Sequence, residues 1–274
     1  MTADFENVLP EQHPQRAPVS AVMVCQDERE LIAECLDSLA FCAEIVIVDS
    51  GSTDGTLEII EKYRASGYPI RLLHHEWQGY GPQKQFALEH ATSAWCLFVD
   101  ADERVDSELR ASIIAIATDA ASTVNGWQIR RRDWLSGYGY AHPGVLHNRI
   151  LRLFRNGKAV VDPDSTIHET FIVEGPTSLI GSGLLLHRRA MSLTDDIARA
   201  NAYSSQKAEV RLGQGAKPSI LGVVLKPPYT FFKFYFMKRY FLCGMSGYIY
   251  AITMAIYSFA TEAKLYRSGI YGEP

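Results

Sequence analysis

The sequence has no excess of positive charge. Lysine and arginine number 27 against 31 aspartates and glutamates, a formal net charge of −4, so no overall basic field invites nucleic acid. Cysteine is sparse: the five residues at 25, 35, 42, 96 and 243 form an odd set with no CxxC and no neighbouring histidine. That argues against a disulfide framework or a zinc knuckle and suits a reducing cytosol. Residues 1–18 carry Asp4, Glu6 and Glu11 and no apolar run, so no signal peptide is read there. There is no GxGxxG after the first apolar run and no GxxxxGK[ST] anywhere, which sets aside dehydrogenase and P-loop readings. No internal repeat or low-complexity segment is present. What remains is ordinary globular composition, 47% hydrophobic and 21% charged over 274 residues, long enough to bury a sizeable core.

Residues 1–18, with Pro10, Pro14 and Pro18, read as a loose polar tail, and the ordered chain is expected from Val19. Short apolar runs then alternate with helical stripes. Ser20–Cys25 is followed by Leu31, Ile32, Cys35, Leu36 and Leu39 at helical spacing. Glu44–Val48 is a β-branched run that stops at Asp49-Ser-Gly-Ser-Thr-Asp-Gly, a loop of turn and capping residues. Ile70–Leu73, a turn at Gly79–Pro82, a helix over about Gln83–His90 and a strand at Trp95–Val99 follow. Strands alternating with helices imply βαβ units and a mostly parallel sheet. After Asp106, read as the N-cap of a helix over Leu109–Ile116, strands at Gly126–Trp134 and Arg149–Phe154 are joined by Gly-, Tyr- and His-rich loops.

In an open parallel sheet, ligands sit beyond the carboxyl ends of the strands. Three acidic clusters fall there: Gln26-Asp-Glu, Asp49, and Asp100-Ala-Asp. In an extended exit Asp100 and Asp102 face one side, and two hard oxygen donors suit Mg²⁺ or Mn²⁺ holding a diphosphate. The same Asp-x-Asp pattern also serves simply as a helix cap.

Ser20-Ala-Val-Met-Val-Cys-Gln-Asp-Glu, Val48-Asp-Ser-Gly-Ser-Thr-Asp-Gly-Thr and Val99-Asp-Ala-Asp-Glu-Arg together resemble family 2 glycosyltransferases of the GT-A fold. The nearest likeness is to the lipopolysaccharide core β-1,4-glucosyltransferase group. Trp77-Gln-Gly-Tyr-Gly-Pro-Gln-Lys, Arg152-Leu-Phe-Arg, Ile167-His-Glu and the Tyr- and Lys-bearing apolar tail extend the resemblance over nearly the whole chain after residue 18. It implies a Rossmann-like, mostly parallel sheet with a smaller mixed sheet. The nucleotide-binding half would be 19–105, the acceptor half 106–190, and a membrane-associating helical region 191–274.

The resemblance further implies that Val24, Gln26 and Glu28 surround the nucleotide base and that Asp49 accepts hydrogen bonds from the uracil or ribose. Lys84 would face the donor as a cation, and Asp100 would contact the ribose and the metal shell. Asp102 would ligate Mg²⁺ or Mn²⁺, and Glu169 would be the catalytic base. Gln26-Asp27 stands where the family usually has Lys-Asn. The implied activity is inverting transfer of a sugar, glucose foremost, from a UDP-sugar to a lipopolysaccharide or lipooligosaccharide core. Another envelope glycan or lipid-linked acceptor, a sugar-nucleotidyltransferase and a catalytically decayed scaffold are the rivals. A nucleotidyltransferase needs a Gly-rich basic loop where this chain has Cys-Gln-Asp-Glu-Arg.

Several residues carry two readings. Asp162 or Asp164 is an alternative base to Glu169. His187 is either a further metal ligand or a structural histidine. Arg152 and Arg155, read as sharing a strand face, meet phosphates or form a solvated face. Trp134, Tyr138, Tyr140 and His142 are a sugar-stacking platform or a loop packed on the core. Asp54 reads as a helix start. Tyr240–Ala260 is charge-free and long enough to span a bilayer. Its Gly, Ser, Thr and Tyr content favours an interfacial hairpin on an anionic membrane surface, at the cytoplasmic face of the inner membrane. Covering the catalytic core is the third option.

Overall fold

The computed structural model describes residues 16–162, 171–189 and 192–272. The chain runs β1 (Ala17–Cys25), α1 (Ile32–Ser38), β2 (Cys42–Asp49), α2 (Thr56–Ala65), β3 (Ile70–His74), α3 (Tyr80–Glu89), β4 (Trp95–Phe98), β5 (Glu103–Val105) and α4 (Ser107–Thr118). Then come β6 (Gly126–Leu135), β7 (Gly139–Tyr140), β8 (Asn148–Arg155), β9 (Ala159–Val161), β10 (Phe171–Val173), β11 (Thr177–Leu179) and β12 (Leu185–His187). Three helices end it: α5 (Leu193–Gly213), α6 (Ile220–Phe232) and α7 (Gly244–Tyr271).

The main sheet has the order β3-β2-β1-β4-β8-β6-β12-β5. β1 to β4 are mutually parallel where they pair, whereas β8 runs antiparallel to both β4 and β6. The sequence therefore reads correctly as a parallel nucleotide-type front and a mixed back. Parallel strands are buried on both faces, which is why Ala21–Met23 and Ile45–Val48 are near-continuous apolar runs. Alternate residues serve two cores. Met23, Ile47 and Leu97 face α1, α2 and α4, with Ile32, Leu36 and Leu39 fully buried as the helical stripe requires. Val22, Val48 and Phe98 face α3 and the β9–β10 ribbon.

β1 begins at Ala17, two residues before the expected start, because Ala17 already donates to the Phe41 carbonyl. α3 begins at Tyr80, absorbing the expected Gly79–Pro82 turn. Pro82 fits there because the first helical turn has no partner for its N–H anyway. Arg152 and Arg155 do not share a face. They are an odd number of residues apart on β8, so Arg152 lies over the Phe98 ring and Arg155 over Trp95, on opposite sides of the sheet.

α6 carries Pro227 and Pro228, which remove two helical donors. It continues into a π-turn at Lys233–Met237 and a 3₁₀ turn at Tyr240–Cys243 before α7 starts. Gly247 is required at this elbow, since a Cβ there would sit 1.9 Å from the Tyr240 carbonyl oxygen. The elbow seats on the β6–β8 loops. The Lys238 ammonium donates to Asn148 at 2.5 Å, the Tyr138 hydroxyl to the Leu242 carbonyl at 3.3 Å, and Ser246 to the Ser136 carbonyl at 3.0 Å.

Candidate active site

The register levels the strand ends. Cys25 pairs with Asp49, and Asp49 with His74, so the loops after β1 and β2 leave the sheet side by side. They are stitched to each other. The Asp27 N–H donates to Ser52 Oγ at 3.0 Å, and the Thr53 N–H donates back to the Asp27 carboxylate at 2.7 Å. The N–H of Glu28 donates to Thr56 Oγ1 and that of Arg29 to Asp54. Asp54 also accepts from Thr56 at the start of α2, beside Gly55 at φ 98°, which matches its reading as a helix start. Asp49 is buried and accepts from the N–H groups of Gly51 and Ser52 and from the Ser52 hydroxyl. Its carboxylate clasps its own loop.

At the end of β4, charge is concentrated and paired. Arg152 donates to Asp100 at 2.6 Å and to the fully buried Glu103 at 3.2 Å. Arg131 bridges Glu103 and Asp133. His187 lies between Asp133, 3.1 Å from Nδ1, and Asp102, 3.2 Å from Nε2. Arg189 in turn joins Asp102 at 2.8 Å to Glu28 at 2.5 Å. Nine side chains thus form one continuous chain of alternating sign from Asp100 to Glu28. Lost solvation opposes ionisation at Asp100, yet Arg152, with Lys84 behind it, holds the carboxyl well below the usual range. Burial pushes Glu103 up. At Glu28 burial raises the carboxyl despite Arg189. Burial likewise works against a charged imidazole at His187, but its hydrogen bonds to Asp102 and Asp133 push it up to about 9.

The structure brings Glu28, Asp100, Asp102 and His187 into this one chain. Lys84 is buried on α3, its ammonium 5.1 Å from the Phe98 ring centre. Val24 is half-buried at the end of β1, and Gln26 is exposed on the rim. Glu169 and Asp164 lie outside the described residues. The aromatic loop mainly packs: Trp134 meets Tyr140 edge-on at 5.0 Å, and the His142 N–H donates to Cys243 Sγ. Sequence reasoning missed Glu103, Arg131, Asp133 and Arg189, whose relevance appears only when β4, β6, β8 and β12 come together. It also missed Gln83, which ties Ser50 to the His75 carbonyl beneath the rim.

Among the described residues no three histidine, cysteine, aspartate or glutamate side chains converge as a metal cage. The donors present still fit a divalent ion. Asp102 and His187 Nε2 face each other, and Asp133 fixes the imidazole through Nδ1, the arrangement that orients metal-bound histidines. Arg189 Nε meets the same Asp102 oxygen as His187 Nε2. Above the rim lies a cavity of about 570 Å³ bounded by Asp27, Tyr80, Arg189 and the α5 residues Arg199 and Tyr203.

Comparison with known proteins agrees with this architecture. The chain is 41% identical to the lipopolysaccharide core biosynthesis glycosyltransferase LpsC of Rhizobium meliloti, over 92% of this chain and 93% of the relative. It is 28% identical to an uncharacterized glycosyltransferase of Rickettsia conorii, over 92% and 91% of the two chains. A mannosyltransferase of Pyrobaculum calidifontis, solved with GDP-Man and Mn²⁺, shares the fold with TM-score 0.50 at 17% identity, over 91% of this chain and 87% of that one. The family described as Glycosyl transferase family 2 matches residues 20–171. With that match and the LpsC likeness, the chain belongs to glycosyl transferase family 2, and its α/β architecture is the GT-A fold.

Proposed function

We propose that this glycosyltransferase moves glucose from UDP-glucose, with inversion, onto a sugar of the lipopolysaccharide core. The observation that carries the acceptor class is the likeness to LpsC across more than nine-tenths of both chains. The donor enters the cavity over the stitched rim, which Asp27 lines, with Val24, Gln26 and Glu28 around the base. Asp49 shapes that rim by holding Gly51 and Ser52. Lys84 and Arg189 supply positive charge toward the diphosphate, which gains negative charge as it leaves.

Asp102 and His187, with Asp100 beside them, would hold Mg²⁺ or Mn²⁺, and Arg189 would vacate Asp102 for it. Bound there, the ion would offset charge on the departing diphosphate. Glu169 takes the proton of the acceptor hydroxyl on the opposite side of the sugar. The chain works at the cytoplasmic membrane face. Leu221, Val224, Leu225, Phe232 and Met245 are all more than half exposed on α6, α7 and their elbow. Residues 214–272 carry seven lysines and arginines against the single acid Glu262. An apolar, basic surface of this kind matches an anionic bilayer.

The test is a panel of nucleotide-sugars screened for divalent-metal-dependent release of nucleoside diphosphate, with and without a lipid-free core oligosaccharide. UDP-glucose is expected to lead and the oligosaccharide to stimulate it. Release from another donor alone, or no stimulation, overturns the respective assignment.

A further inference from the structure

Group transfer needs two seats that meet at one point, and the structure holds two cavities with a common wall. Arg189, Arg199 and Tyr203 line both the cavity over the donor rim and a second one, of about 340 Å³, behind them. The far walls of the second are Asp133 and Trp134 of β6 and Tyr250, Met254 and Tyr257 of α7. His187, in contact with Asp102, also lines it.

We propose that this second cavity is the acceptor seat and that its occupant is a sugar ring of the acceptor glycan, held between β6 and α7. This rests on the sugar-transferase reading above and names the surface that reading leaves open. Two observations support it. The volume falls at the lower end of small-molecule sites, about 300–1,000 Å³, which suits a ring rather than a long acyl chain. The lining combines aromatic side chains with Asp133, Asp196, Arg131 and Thr253, and a sugar presents C–H groups to rings while its hydroxyls meet polar groups. A slot for lipid would need no such edge.

Tyr250, Met254 and Tyr257 follow the i, i+4, i+7 spacing of one helical face. α7 therefore gives that face to the acceptor, while Ile256 and Phe259 stay exposed elsewhere on the helix. The helix that the sequence assigns to the membrane also builds part of the active site.

Saturation-transfer NMR on the full-length protein with methyl β-glucoside, methyl β-galactoside and methyl α-mannoside tests this directly. Saturation is expected on the ring protons of at least one glycoside, in the presence of UDP, and its loss on Met254→Trp, which fills the cavity. Melting temperature and calorimetric UDP affinity of the variant should match the parent. Asp196→Asn, which takes a carboxylate from the lining, is expected to weaken glycoside binding about three- to tenfold. With the core oligosaccharide as substrate, Met254→Trp should raise its KM more than about tenfold. No saturation in the parent, or saturation and KM that survive Met254→Trp, overturns the seat. If UDP neither binds nor is released in the parent, it is the donor reading that falls, whereas glycoside saturation still decides the cavity.

Discussion

At the strand ends charge is buried and matched: Asp100, Asp102, Glu103, Asp133 and Glu28 are each held by an arginine, a histidine or both. Along α6, α7 and their elbow charge is mostly of one sign, Glu262 being the single acid, and Lys233 and Arg239 stand exposed beside apolar side chains that no part of the described chain covers. Under the proposed function, the difference reflects two kinds of partner. A matched cluster costs desolvation that only good geometry offsets, so it is kept where a small charged ligand must be positioned. An unmatched basic surface is tolerable in water and gains energy only against a large anionic one. The sharpest way to break the comparison is to remove charge from each region in turn.

The largest effect is expected at Asp102. Asp102→Asn keeps the shape but loses an ionic oxygen, and UDP release should fall by more than about a hundredfold. Calorimetry should show that Mn²⁺ no longer strengthens UDP binding, and full activity of the variant in chelator would remove the metal role. Glu169→Gln should lower turnover by about two orders of magnitude with UDP affinity retained. If Asp164→Asn shows that pattern and Glu169→Gln does not, the base is Asp164. Asp133→Asn, which loosens the His187 ring, should weaken Mn²⁺ binding about 10–100-fold. Titration of UDP binding against Mn²⁺ reads it.

These variants also show why part of the site was legible in the sequence. Asp49, Asp100 and Asp102 end apolar runs, so a strand-end argument finds them without any contact map. Glu103 and Asp133 look like ordinary strand residues. Their importance arises from β8 and β12 arriving beside β4 and β6, and non-local pairing leaves no local trace. The roles of Asp49 and Asp54 were half legible. Turn residues announce a loop, but not that its carboxylates are spent on neighbouring N–H groups. In the C-terminal region composition displays the apolar surface, whereas the inner face of α7 is hidden because its aromatic residues look like those that face outward.

On the hairpin the expected effect is intermediate. Lys233→Glu with Arg239→Glu reverses two exposed charges, and near an anionic surface each basic residue contributes about 1 kcal/mol. Flotation with anionic vesicles should drop by at least tenfold at low salt, while UDP affinity is unchanged. Parent protein that fails to float, or floats equally with neutral vesicles in high salt, would return the hairpin to a purely structural cover. Substitution is preferable to truncation from Ser219, because α7 packs on α5 and lines the second cavity.

The smallest effect separates charge that holds architecture from charge that meets ligand. Asp106 caps α4, accepting from the Leu109 N–H at 2.7 Å, and its other oxygen accepts from the Leu184 N–H at 3.0 Å, just before β12. One carboxylate thus ties the start of a helix to the strand that carries His187. Asp106→Ala leaves both donors without an acceptor, and loss of such a cap costs about 1–2 kcal/mol. A melting temperature lower by several degrees is expected, for a domain of this size roughly 2–4 °C per kcal/mol. UDP affinity should stay within twofold at a temperature where the variant is folded, because no ligand-facing charge has been touched. A large loss of Mn²⁺-dependent UDP binding with the melting temperature unchanged would mean that Asp106 sets the position of His187 more tightly than it caps the helix, and would move it from the supporting charges to those that shape the site.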